Sequence, residues 1–325
     1  MGAPVVAAPF VVTGERSRQM RTVPAAELKR LSMPSDAAGA RQTLAHVALL
    51  VAGGWLVLAT RGTWWVAPAL LVQAVFVNAL FAAMHESVHY GSFQSRWAAD
   101  LLAFFSGAAI LNNAGFYRHY HMAHHRYTQD PARDPELAKP KPTTLAGYLY
   151  TMTSIPFWVG RVSMSLRHAL TGRVRETVVP PTRQRAIVLE ARLVWGIYLL
   201  VLVLSVVFRS DAALVYWFLP LLVGYPFLRF FLLAEHTGCA YGNDMFANTR
   251  TTYTNWAMRA LAWDMPFHCE HHSYPSVPFH ALHKVNPLIR DRIANTSPGY
   301  LAFHLNLIRT LASNAAGRRR DGARA

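Results

Sequence analysis

Charge is what this chain has least of. Only 15% of its 325 residues are Asp, Glu, Lys or Arg, against 53% hydrophobic, and mean hydropathy is positive at +0.17. A soluble domain carries about 25% charged residues, so the balance argues against a water-borne globule. Acidic residues are the scarcer kind, 17 against 32 Lys and Arg, which leaves a formal net charge of +15. In a soluble chain that excess would suggest nucleic-acid binding. Here the basic residues lie between apolar runs, at 15–41, 161–192 and 318–324, which is the positive-inside pattern of a membrane protein and not one basic face. Cysteine is nearly missing. Cys239 and Cys269 give no disulfide framework and cannot supply the four thiolates of an ordinary iron–sulfur cluster, so both are expected to be reduced and cytosolic. Apolar residues 3–13 lack a basic segment before them, which argues against a cleavable signal peptide.

Uninterrupted apolar sequence is plentiful. Residues 42–60, 62–84 and 212–228 contain no Asp, Glu, Lys or Arg. As helices of 17 to 23 residues they cover about 25 to 35 Å, enough to cross a bilayer. The first two, joined at Arg61-Gly62 with Trp64 and Trp65 at the interface, form a hairpin that starts and ends in the cytosol. A second hairpin is expected at 193–208 and 212–234, joined by Arg209-Ser210-Asp211. Arg161, Arg167, Arg173, Arg175, Arg183, Arg185 and Arg192 hold its start on the same side. The stretches 101–117 and 142–160 are also apolar. Were they to cross, a histidine cluster at 121–125 would be stranded on the opposite face, so they are read as interfacial or re-entrant. The expected architecture is an all-α integral membrane fold: four transmembrane helices in two hairpins, interfacial helices and a cytosolic histidine-rich cap. Residues 1–40 read as a cytosolic leader whose amphipathic piece, Val23 to Leu31, lies partly on the membrane. Residues 41–310 read as one domain and 311–325 as a basic disordered tail.

Histidine is the second plentiful residue, fifteen in all, and eight of them fall in three clusters. His268, His271 and His272 have H-x-x-H-H spacing, which on a helix puts three imidazoles within reach of a single point. His121, His124 and His125 repeat the spacing. His85 and His89 form a shorter version, and His236 emerges at the end of the fourth expected span on the same face. Metal ligation is the reading that accounts for clustering at span ends; a histidine-rich surface loop would explain one cluster but not three. Glu86, His119, Asp130, Asp134 and Glu270 lie close enough in sequence to act as partners behind the ligands. Asp130, Asp134 and Glu136, in one Pro-punctuated loop, read equally as turn residues and as acceptors for the ligands' far N–H groups. His46, His168, His280, His283 and His304 lack the spacing and are read as structural.

His85 to His89 is also literally H-E-x-x-H, the signature in which two imidazoles bind one zinc and the Glu activates water for peptide hydrolysis. One zinc needs a single further ligand, and this chain offers six or more. A haem or metal carrier is the non-enzymatic alternative, although a b-type haem would want histidines at mid-depth and these sit at helix ends.

The three boxes, in this order and ending in E-H-H-x-x-P, resemble the membrane fatty-acid desaturase and hydroxylase superfamily over roughly residues 40 to 300. The stretches Tyr127 to Glu136 and Ala234 to Cys239 are similar to a bacterial branch that includes oxygenases of non-lipid small molecules. The resemblance implies two irons held by His85, His89, His121, His124, His125, His236, His268, His271 and His272, with O2 as co-substrate and no haem or iron–sulfur cluster in the chain. It implies oxidation of an unactivated C–H bond, by desaturation of a fatty acyl chain or lipid or by hydroxylation. Electrons would come from a separate ferredoxin or cytochrome b5 type donor at a basic cytosolic face, and the expected location is a bacterial inner membrane. Two departures stand out: Glu86 where many acyl desaturases have Asp, and the additional His119.

Overall fold

The computed structural model describes residues 23–139 and 141–322. In chain order the helices are α1 (Ala25–Leu31), α2 (Asp36–Ala59), α3 (Val66–Val88), α4 (Arg96–Ala109), α5 (Ala114–Tyr127), α6 (Leu145–Met152), α7 (Ile155–Thr171) and α8 (Pro181–Val207). They continue with α9 (Leu219–His236), α10 (Met245–Asn248), α11 (Trp256–Leu261), α12 (His268–Ser273), α13 (Phe279–Ile289) and α14 (Tyr300–Gly322). A π-helical stretch, Leu214–Phe218, runs straight into α9. Two short parallel strands, β1 (Thr251–Thr252) and β2 (Thr296–Ser297), are the described β-structure.

Four described helices are long and apolar enough to cross a membrane: Asp36–Ala59, Val66–Val88, Pro181–Val207 and Leu214–His236. They form the two expected hairpins of an integral membrane protein. Their centre is the crossing of α3 and α9. Gly224 sits where a Cβ would collide with the Ala74 carbonyl oxygen and the Asn78 side chain, so the backbones meet directly. The Asn78 amide donates to Pro220 O and Leu221 O, both at 3.2 Å, and His46 on α2 bonds Phe76 O at 3.0 Å. Small residues at the contact and interhelical hydrogen bonds are what hold spans together where lipid supplies no hydrophobic drive.

The two ambiguous apolar stretches are each broken in the middle, and neither forms a described helix long and apolar enough to cross. The chain turns between α4 and α5 with Leu111 at φ 52°, and between α6 and α7 with Ser154 at φ 61°. Each of α4 and α5 has 14 residues, about 21 Å of helix, short of a bilayer core of about 30 Å. The exposed start of α5 is satisfied from within: Asn113 Oδ1 accepts from Phe116 N at 2.7 Å, and Glu190 of α8 accepts from Ala114 N at 2.6 Å and Gly115 N at 3.0 Å. A carboxylate is well placed there, at the positive end of the helix dipole.

Three expectations need correction. The first span begins at Asp36 and not at 42, because Ser35 caps it, and the third begins at Pro181 and not at 193. Charges end the apolar part of a helix without ending the helix. Residues 1–22 of the leader lie outside the described residues, and the piece from Val23 to Leu31 packs on the cap. Val23 and Leu31 are buried against Phe267, Val277, Leu282 and Ile289, so its apolar face is covered by protein. The supposed disordered tail continues α14 as far as Gly322, in keeping with its Ala- and Arg-rich sequence; residues 323–325 lie outside the described residues.

The crossing yields a test. Gly224→Val should destabilise the detergent-solubilised protein by roughly 1–3 kcal/mol through overpacking, read as a lower thermal midpoint. Gly196→Ala, with nothing within 4 Å of the added carbon, should leave the midpoint equal or higher.

Candidate metal centre

Each element that delivers a histidine ends or begins where the spans meet the cap. His85 and His89 leave the end of α3, His121, His124 and His125 lie on α5, His236 ends α9, and His268, His271 and His272 lie on α12. Cap and spans are tied by carboxylates. Glu86 accepts from Phe279 N at 2.9 Å, and Glu270 accepts from Thr251 Oγ1 at 2.6 Å and from the Asn286 amide, holding α12 to β1 and α13.

The structure brings together all nine histidines of the sequence reading, in two groups. His85, His89, His121, His125 and His271 have ring nitrogens within 4.8 Å of one another, and so do His124, His236 and His272. His268 joins the second group through a 2.9 Å contact between its Nε2 and that of His236. The idea that one H-x-x-H-H box converges on a single point is therefore wrong. Neighbouring residues on a helix point about 100° apart, so each adjacent pair divides: His125 and His271 to the first group, His124 and His272 to the second. The groups abut where His125 and His272 stack, ring centres 4.0 Å apart.

The outer nitrogens decide what the inner ones can do. His124 Nδ1 donates to Asp134 at 2.9 Å, and His236 Nδ1 to the Asn248 carbonyl at 3.1 Å. With their protons on Nδ1, both rings present bare Nε2 lone pairs to each other, 3.2 Å apart. His272 Nδ1 faces Thr128 Oγ1 at 3.1 Å, and that hydroxyl is itself donating to His124 O, so it accepts from His272. In the first group His125 Nε2 lies 3.0 Å from both His121 and His271 Nε2, while both nitrogens of His85 and the Nε2 of His89 are buried without a partner. Lone pairs converging in a dry site repel unless a cation lies between them. Two donors at right angles on a metal with bonds of about 2.1 Å stand about 3.0 Å apart, which is the spacing found. The residues fit two metal ions.

Burial, followed by the proximity of other imidazoles, lowers the proton affinity of His89, His121, His125, His268 and His272, and brings His271 to about 3. Neutral imidazole is the metal-binding form. Burial works to raise Asp134, but the hydrogen bond from His124 and those from the Gln129 and Glu136 N–H groups hold it below the usual carboxylate value.

Of the partners suggested by sequence, Asp134 alone hydrogen-bonds a grouped histidine, and Glu136 Oε2 stands 3.8 Å from His124 Nε2. Asp130 is a turn residue bonded to Ala132 N and Arg133. Glu86 and Glu270 face the cap ties described above and not the imidazoles, and His119 stands half-buried outside both groups. The direction of Glu86 also argues against a zinc protease, whose Glu must face the metal-bound water. Sequence reading missed Thr128, Asn248, Tyr117, whose hydroxyl is 3.4 Å from His121 Nδ1, and Glu235, 3.5 Å from His268 Nδ1. Thr128 lies one turn after His124 and Glu235 adjoins His236, so spacing offered a hint for both. Nothing local marks Asn248.

The family model described as fatty acid desaturase matches residues 62–304, a span that holds all nine histidines. The chain is also similar to the dihydrorhizobitoxine desaturase of Bradyrhizobium elkanii, with 25% identity over 262 residues, covering 73% of this chain and 70% of that protein.

If Asp134 fixes the tautomer of His124, Asp134→Asn should weaken metal retention about 10- to 100-fold at one of two sites, while Asp130→Asn retains both. Metal content after graded chelation distinguishes the two variants.

Proposed function

We propose, from the premise that the chain belongs to the fatty acid desaturase family, that this membrane oxidoreductase uses two irons and O2 to desaturate an aliphatic substrate, a fatty acyl chain or lipid in the first instance. The observation that carries the reading is the pair of abutting histidine groups with converging ring nitrogens. Two irons bound there supply the reduction of O2 and the oxidant that removes hydrogen from an unactivated C–H bond. The chain's own part is to hold the imidazoles neutral, to fix each tautomer through Asp134, Asn248 and Thr128, and to keep bulk water out with a buried shell. In balance, one O2, two electrons, two protons and the substrate give an alkene and two waters.

An apolar groove between α3 and α9, lined by Ala79, Phe81, Ala82, Leu228, Phe231 and Leu261, supports a hydrocarbon substrate, since Phe81 and Ala82 are one turn before His85. Hydroxylation, giving an alcohol and one water from the same inputs, is the second reading. The relative from Bradyrhizobium elkanii is itself named a desaturase, which favours the first. We place the metal groups and both termini on the cytosolic side of a bacterial inner membrane, as the arginines preceding the hairpins favour. Electrons come from a separate donor, a ferredoxin or cytochrome b5 type protein, and 32 basic against 17 acidic residues favour an acidic one.

Expression in a heterologous host, with mass spectrometry of lipids and polar metabolites, should reveal a product about 2 mass units lighter than its substrate. A gain of about 16 would replace desaturation by hydroxylation, and no product under aerobic conditions with a donor present would overturn the reading. Donor-coupled turnover should slow as salt rises; a rate indifferent to ionic strength would refute the charge-guided donor.

A further inference from the structure

A second concentration of charge lies outside the histidine groups. On α7, Arg161 is buried with its guanidinium 4.2 Å from the centre of the Phe157 ring. Arg229 of α9 and Lys139 of the loop before α6 face the same ring at 5.2 and 5.0 Å. Among the described residues no carboxylate lies within ion-pair distance of any of the three cations. Arg161 makes one hydrogen bond, to Ile110 O at 3.3 Å, and the buried Nε of Arg229 makes none. Other donors beside them are idle. The Tyr225 hydroxyl and Trp158 Nε1 are buried without a partner, and the Tyr225 ring packs 4.6 Å from Phe157 and 4.8 Å from Trp158.

Two guanidiniums, Arg161 buried and Arg229 half-buried, with the exposed Lys139 beside them and no ion pair among the described residues, repel one another more than the ring repays. Burial and the two guanidiniums lower the proton affinity of Lys139. An arginine in a membrane-spanning helix, as Arg229 is, faces a functional cavity or partner as a rule.

We propose that Arg161 and Arg229 receive a free carboxylate at one end of the substrate, with Lys139 at the outer edge, making the substrate an amphipathic acid and not an ester, thioester or neutral hydrocarbon. The planar forks of two guanidiniums match a carboxylate better than a point charge does. The inference rests on the C–H-oxidising reading of the histidine groups and identifies the substrate class for that same site. Tyr117 links the two: its ring stacks 5.1 Å from His121 and meets Phe81, which lines the apolar groove, at 5.6 Å. A molecule with its carboxylate at the arginines and its hydrocarbon in the groove would pass its middle carbons beside His85 and His121.

The test uses the iron-loaded full chain in nanodiscs of neutral lipid, with hexanoate, hexanamide and hexyl phosphate as probes and calorimetry as readout. Hexanoate should bind roughly tenfold or more tightly than hexanamide. Arg161→Gln and Arg229→Gln should each abolish that preference without changing iron content, and Arg161→Lys should restore part of it. Equal affinity for acid and amide, or a preference that survives in both Gln variants, overturns the proposal. Hexyl phosphate binding more tightly than hexanoate overturns it in favour of a phosphate-bearing ligand. Iron content is measured apart from binding, so a wild-type protein that binds hexanoate but holds no iron would count against the histidine reading and not against this cluster.

Discussion

The rest of this fold answers to one electrostatic constraint: nine imidazoles packed in a dry interior with ring nitrogens turned toward one another, both unprotonated where His124 meets His236. Bare lone pairs about 3 Å apart are unfavourable without a cation, and protonating the rings in a buried site is unfavourable too. The chain therefore has to assemble the groups rigidly, keep the rings neutral and turn the Nδ1 of key rings outward to acceptors. Asp134, the Asn248 carbonyl and the Thr128 hydroxyl do this for three rings of the second group, which makes them as necessary as the histidines they orient.

The rest of the architecture follows from delivering those rings. The α3–α9 crossing, closed by Gly224 and Asn78, brings the ends of two spans together, and with them His85, His89 and His236. The turn between α4 and α5 at Leu111 sets α5 against the ends of the spans, so His121, His124 and His125 meet His85, His89 and His236. The cap then lowers α12 onto the assembly, and it is held by Glu86 and Glu270, two buried carboxylates that touch no histidine. Each adjacent histidine pair bridges both groups, so a shift of α5 or α12 disturbs two sites at once.

Much of this was legible in the sequence because its signals were local. Apolar length gave the four spans, and arginine placement gave their pairing into hairpins. Histidine spacing gave all nine clustered rings. What spacing could not say was how those rings divide, because the 100° step between neighbours matters only once other helices supply a point on each side. The carboxylates were misjudged for a similar reason. Asp130 and Asp134 read alike in sequence, and only the turn at Gln129 and Asp130, which aims one back at His124 and the other at Arg133, separates them. The leader helix looked membrane-bound because its covering surface, α13, lies some 250 residues later in the chain. The arginine cluster was invisible, as Lys139, Arg161 and Arg229 come from three separate segments and read singly as topology signals.

The most direct test of the central claim is metal analysis combined with Mössbauer spectroscopy on the purified full chain. About two irons per chain, each in an all-nitrogen environment, is the result expected from two histidine groups that abut where His125 and His272 stack. A single zinc per chain, or a single iron, would contradict it.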